Sequence, residues 1–155
     1  MLMARQGAVY IVFEDFEKLP LYFRLGCQPI MSGMPPFEYW EKMAQVGRIP
    51  PHRTAAGTYL TGEFLGARSV IFAKDEAGLF TADPKKDRNA KFIPKIHVDE
   101  LLAMDLGDLV IERVVLEYMK EARPVRAVQV VNGLIPGLLT RAVQGEHVGT
   151  LITAD

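Results

Sequence analysis

Ser69-Val70-Ile71-Phe72-Ala73-Lys74-Asp75-Glu76-Ala77-Gly78-Leu79-Phe80-Thr81-Ala82-Asp83-Pro84 is the stretch on which the fold turns. Its first five residues are nearly apolar on both faces, then charge and glycine arrive at once. A run of this kind suits a central strand covered on both sides, although a short apolar run taken alone also fits a buried helix segment. Ligands of open α/β sheets bind beyond the carboxyl ends of the strands, and this strand ends at Lys74. In the loop, Gly78 permits a tight turn and Phe80 could pack on a base. Lys74 could meet phosphate, and Asp83 could accept from a ribose hydroxyl or orient a metal-bound phosphate. A plain polar strand-to-loop exit is the ordinary alternative.

Outward from this stretch the periodicity alternates. Ala8–Phe13, Gln28–Met31, Ala127–Val131 and Thr150–Thr153 read as strands, with Ala127–Val131 a second inner strand. Thr54 can cap a helix running to about Gly66, with Tyr59, Leu60, Phe64 and Leu65 as its apolar stripe. Asp108 can cap another, with Val110, Ile111, Val114, Val115 and Tyr118 at helical spacing. A short helix follows Gly133 and Pro136 and ends near Gly145. Strands alternating with helices predict α/β architecture with a mostly parallel sheet. The long connections Gly33–Arg53 and Gly78–Pro94 break the alternation, and long connections are often functional.

One of them ends on a second candidate site. Arg48-Ile49-Pro50-Pro51-His52-Arg53-Thr54 sets two arginines and a histidine ahead of a helix start. Free backbone N–H groups and the helix dipole favour an anion there. Arginine adds planar donors for phosphate or another tetrahedral oxyanion. The sequence therefore predicts that Arg48, His52 and Arg53 converge near the Thr54 helix; a solvated basic loop is the alternative. The aromatic trio Phe37, Tyr39 and Trp40 suits a subunit contact, with core packing or a nucleotide platform as alternatives.

Composition narrows the classes. The chain of 155 residues suits one compact domain, and its net charge of −1 gives no electrostatic reason to expect nucleic acid. No apolar run approaches the roughly 18 residues of a membrane span. Residues 1–7 lack the apolar core of a signal peptide, and Cys27 is the only cysteine, so a cytoplasmic location is expected. His52, His97 and His147 are too scattered for a metal motif, and each is expected to be a surface or hydrogen-bonded histidine. No residue stands out as catalytic.

Leu79-Phe80-Thr81-Ala82-Asp83-Pro84 resembles the nucleotide-binding motif of the amino acid kinase superfamily, which includes uridylate and aspartate kinases. Asn132, Pro136-Gly137, Gly145-Glu146 and Gly149-Thr150-Leu151-Ile152 are similar to the end of a uridylate kinase. Further blocks, Ser32-Gly33-Met34-Pro35-Pro36, Ile49-Pro50-Pro51-His52-Arg53, Val128–Leu134 and Gly145–Thr150, resemble the molybdenum storage proteins, cage-forming relatives of uridylate kinase built from two related subunits. Lys74-Asp75-Glu76 and Phe92-Ile93-Pro94 lean toward their β-type subunit. The resemblance implies a three-layer α/β/α sandwich and ATP with Mg2+ at Lys74, Gly78, Phe80, Thr81, Asp83 and Pro84. It implies molybdate or tungstate oxoanion clusters, with Arg48, His52, Arg53 and Thr54 where uridylate kinases hold the acceptor nucleotide. It also implies homologous subunits as partners. Relatives carry an N-terminal half with glycine-rich phosphate loops, so the chain reads as the C-terminal half of such a domain, with a separate N-terminal half a possible partner. Ala55 and Ala77 stand where relatives carry acids. With the phosphate loops missing, kinase catalysis by this chain alone is not expected.

Overall fold

The computed structural model describes residues 6–32, 53–106 and 110–155. Elements run β1 (Ala8–Ile11), a 3-10 turn (Phe13–Lys18), α1 (Leu19–Arg24), β2 (Gln28–Met31), α2 (Thr54–Phe64), β3 (Val70–Lys74), β4 (Leu79–Phe80), β5 (Phe92–Ile93), β6 (Lys95–His97), α3 (Val98–Ala103), α4 (Arg113–Glu121), β7 (Ala127–Asn132), α5 (Leu138–Val143) and β8 (Thr150–Thr153). The main sheet has the order β3-β7-β8-β6. β3 pairs parallel with β7 and β6 parallel with β8, while β7 and β8 run antiparallel. β1 and β2 form a separate parallel pair, and β4 and β5 a small antiparallel one.

Side-chain alternation along the strands builds the layers. Val70 and Phe72 of β3, Val128 and Val130 of β7 and Ile152 of β8 join the larger core, with Tyr59 of α2, Leu101 of α3 and Val115, Leu116 and Met119 of α4. Ile71 and Val131 point the other way, into a smaller cluster with Leu138 and Ala142 of α5 and with Val148. Helices thus cover both faces of a mostly parallel sheet, as the alternating pattern requires.

Three boundaries depart from the sequence reading. Among the described residues β3 pairs on one side only, so it is an edge strand of the main sheet and β7 is inner. Helix α2 starts at Thr54, but its N-cap residue is Arg53 and no side chain of the cap bonds the first turn. Helix α4 begins only at Arg113, with Glu112 at the N-cap. The residues read as its first turn include Ile111, which is buried ahead of the helix; Asp108, read as the cap, lies outside the described residues.

Tertiary hydrogen bonds lock α2 to the sheet. The buried Tyr59 hydroxyl donates to the Val125 carbonyl at 2.8 Å, and burial pushes its pKa well up. The Glu63 carboxylate accepts from the Arg123 and Val125 N–H groups, both at 2.9 Å. One face of α2 thereby supplies acceptors and a donor for the turn that feeds β7. These bonds matter because an unpaired buried polar group costs about 1–3 kcal/mol.

Candidate nucleotide cleft and anion corner

The loop after β3 folds back over the carboxyl edge of the main sheet. Lys74 ends β3 beside Asn132 of β7. Its carbonyl accepts from the Gly133 N–H at 2.8 Å. Asn132 Oδ1 accepts from the Leu134 N–H at 2.9 Å, and its amide reaches the Asp75 carbonyl at 3.4 Å. The chain then passes through Gly78, whose φ is +149°. It pairs as β4 with β5 and turns at Asp83-Pro84. Phe80 and Phe92 stack edge to face across that pair, with centroids 5.5 Å apart.

A cleft of about 160 Å³ opens under this loop. Gly78, Phe80, Asp83 and Pro84 line it; Leu106 and Val110 supply an apolar wall. Lys74 and Thr81 are not on the lining. The Thr81 hydroxyl instead accepts from the Lys91 N–H at 3.0 Å and fastens the small hairpin. Among the described residues Lys74 has no ion-pair partner. Leu106 carries no signal in the sequence, and Val110 reads there as part of a helical stripe.

The rim of the cleft is strongly charged. Asp83 Oδ1 accepts from the Lys85 N–H at 2.9 Å, and Oδ2 lies 3.0 Å from Lys86 Nζ. The backbone bond first, then Lys86, hold the Asp83 pKa below the ordinary aspartate value. Lys85 Nζ lies 2.6 Å from Glu76, a bond that raises the lysine pKa, and 3.7 Å from Asp75. The described residues contain no group of three His, Cys, Asp or Glu side chains placed to hold a metal ion.

The anion corner is described only in part. Arg48 and His52 lie outside the described residues, so their convergence lies there too. At the N-terminus of α2 a carboxylate of the chain itself is in place. Glu112 Oε2 accepts from the Ala56 N–H at 2.6 Å, and Oε1 lies 3.8 Å from Arg53 Nε. Glu112 is buried. The helix dipole and Arg53 thus already meet one negative charge, brought from the N-cap of α4. The Thr54 carbonyl accepts from the Thr58 hydroxyl at 2.8 Å. A second hollow, of about 310 Å³, lies between β2 and α2, with Met31, Ser32, Gly57 and Thr61 on its walls. His97 caps α3 by accepting from the Asp99 N–H at 3.2 Å, and His147 Nε2 is 2.8 Å from the Pro94 carbonyl. Both are hydrogen-bonded histidines, as expected.

Comparison with known proteins agrees with this geometry. The chain is 48% identical over 154 residues to the molybdenum storage protein subunit beta of Azotobacter vinelandii; the match covers 99% of this chain and 57% of that protein. It is 30% identical to the uridylate kinase of Hyperthermus butylicus over 77% of this chain and 58% of that enzyme. The crystal structure of uridylate kinase from Archaeoglobus fulgidus superposes with a TM-score of 0.72 at 26% identity, covering 99% of this chain and 65% of that one. The chain therefore spans somewhat over half the length of these relatives. Residues 43–132, which include α2, β3, the cleft loop and β7, match the amino acid kinase family. With a parallel β3–β7 pair, a cleft loop beyond its carboxyl edge and helices on both faces, the chain belongs to the amino acid kinase family.

Proposed function

We propose that this chain serves as a β-type subunit, or a part of one, in a molybdenum-storing assembly, and that residues 1–155 form the nucleotide-binding part of an amino acid kinase domain. The observation that carries this is the 48% identity over 99% of the chain with a protein named for molybdenum storage, set on a cleft whose walls suit a nucleotide. ATP would enter with magnesium on its phosphates. Phe80, Leu106 and Val110 offer apolar surface for the base. Asp83, held ionised, can accept from a ribose hydroxyl or orient a metal-bound phosphate. Lys74, at the strand end without an ion-pair partner among the described residues, can meet phosphate, while Thr81 keeps the hairpin closed. Arg48, His52, Arg53 and Thr54 are proposed to hold molybdate or tungstate. Partners would be homologous subunits.

A second reading, a uridylate kinase-like enzyme, is favoured by the 30% identity and the TM-score of 0.72. One experiment separates the two. The purified protein is incubated with ATP, magnesium and molybdate, desalted, and assayed for retained molybdenum; a parallel sample receives ATP and uridylate. Storage predicts ATP-dependent retention and no uridylate-dependent ADP release. Turnover near the roughly 1–100 s⁻¹ usual for kinases, without retained molybdenum, would move the assignment to the enzyme. If neither retained molybdenum nor turnover is seen, both readings fail.

A further inference from the structure

We propose that Thr150, about 70 residues downstream of the cleft loop in sequence, is the positioning residue that sets where that loop sits, and hence the shape of the nucleotide cleft. The proposal rests on the nucleotide reading of the cleft for its consequence, but on independent geometry for its mechanism.

Thr150 is a fully buried polar side chain at the start of β8, with no exposed surface. Its hydroxyl makes two bonds, and they point to the two strands of the small hairpin. Oγ1 accepts from the Leu79 N–H of β4 at 2.8 Å and donates to the Ile93 carbonyl of β5 at 2.5 Å. The hairpin that carries Phe80 on one strand and Phe92 on the other is therefore pinned to the main sheet by one oxygen. The backbone repeats the link nearby, where the Leu151 N–H donates to the Pro94 carbonyl at 2.9 Å.

Gly78 shows how close the seat is. A Cβ at Gly78 would fall inside van der Waals contact of Thr150 Oγ1 and 3.0 Å from both the Thr150 backbone nitrogen and the Phe92 ring. Any side chain there would lift the loop from Thr150, so the glycine and the threonine act as a pair. Gly78 and Leu79 line the cleft directly, next to Phe80. A shift at the Thr150 hydroxyl is therefore passed to the cleft within one or two residues. Valine in place of threonine keeps the shape and removes both bonds, leaving the buried Leu79 N–H without its acceptor. Serine keeps both.

The test uses the full chain and reads two quantities: amide hydrogen exchange by peptide, and ATP affinity by calorimetry with magnesium present. In Thr150→Val, exchange should rise at least tenfold in the peptides covering 78–81 and 91–93, while that covering 127–132 stays protected. ATP affinity should fall about tenfold or more, and Thr150→Ser should return both to within about threefold of the parent. Gly78→Ala, which leaves Thr150 intact, should reproduce the local exchange, and it decides the matter if Thr150→Val does not fold. Unchanged exchange at 78–81 in both variants would overturn the proposal, and so would faster exchange with unchanged ATP affinity. Should the parent chain itself not bind ATP, the nucleotide reading falls, and the exchange pattern still judges the positioning role separately.

Discussion

At the residue scale, the informative side chain is Glu112. A carboxylate buried at a helix N-terminus is stabilised by free N–H groups and by the dipole. Here it also faces Arg53 at 3.8 Å. Glu112→Ala removes the acceptor of the Ala56 N–H and leaves Arg53 without this partner; we expect a loss of about 1–3 kcal/mol in chemical denaturation. Glu112→Gln keeps an acceptor in place and removes the charge, so it should cost less. It should also strengthen oxyanion binding near Arg53 about two- to tenfold, since the competing negative charge is gone. Molybdate retention that falls in Glu112→Gln would mean that the carboxylate supports the anion site rather than competing with it. None of this was legible in sequence, because Ala56 and Glu112 are joined only by tertiary folding. The basic cluster before Thr54 was legible, but the acid that answers it was not.

Asp83 is a residue-scale case with a pH sign. Its folded pKa is lowered, by the Lys85 N–H first and by Lys86 next. A carboxylate of this kind contributes stability that is present above its unfolded pKa and lost as pH falls through the lower folded value. The Asp83 carboxyl resonance should therefore titrate below the roughly 3.9 of a free aspartate. A midpoint at or above that value would show that the loop bonds do not persist in solution.

At the scale of elements, the two glycines that flank α5 and β8 give a controlled comparison. Gly137, at the N-cap of α5, has φ +82° and open space where a Cβ would go. Gly149, just before β8, has φ +73°, and a Cβ there would overlap the Val130 carbonyl and sit 3.1 Å from Val131 Cα. Gly137→Ala should cost only the left-handed strain, about 1–2 kcal/mol. Gly149→Ala should cost well beyond that, because backbone of β7 would have to move. Equal shifts in thermal melting for the two variants would refute this difference. Sequence alone cannot rank the two glycines, since the clash comes from a neighbouring strand. The same limit explains other differences. The strands expected at Gln28–Met31 and Thr150–Thr153 have those ends in the structure. Helix α3 and the β4–β5 pair were not read, because both are too short to show a period. The antiparallel β7–β8 pairing is a matter of topology that local pattern does not carry. Gly78, Phe80, Asp83 and Pro84 are singled out in sequence and line one cleft. Its apolar wall at Leu106 and Val110 was not legible there, being brought from beyond α3.

At the scale of the whole molecule, apolar exposure is uneven. Single exposed apolar side chains are ordinary on protein surfaces; clustering is what signals association. Among the described residues, six of the twelve exposed large hydrophobics fall between residues 10 and 30: Tyr10, Val12, Leu21, Phe23, Leu25 and Ile30. They sit on or beside β1, α1 and β2, a unit whose buried Ile11 and Leu19 belong to neither core cluster. Among the described residues its strands pair with each other rather than with the main sheet, and a Phe16–Phe64 ring contact, with centroids 5.4 Å apart, ties it to α2. A two-stranded parallel pair with this much apolar surface is only marginally stable without cover. Within β1 itself Ile11 is buried, but Tyr10 is 67% exposed. We therefore expect the chain to associate, with itself or with a homologous subunit. Light scattering across a concentration series should show mass rising above 17.3 kDa. Tyr10→Lys with Phe23→Lys should move that rise to higher concentration and leave the main-sheet core, hence cooperative unfolding, in place. A monodisperse monomer at every concentration would mean that this face is covered by rearrangement within the chain, and the association argument would fail while the fold stood.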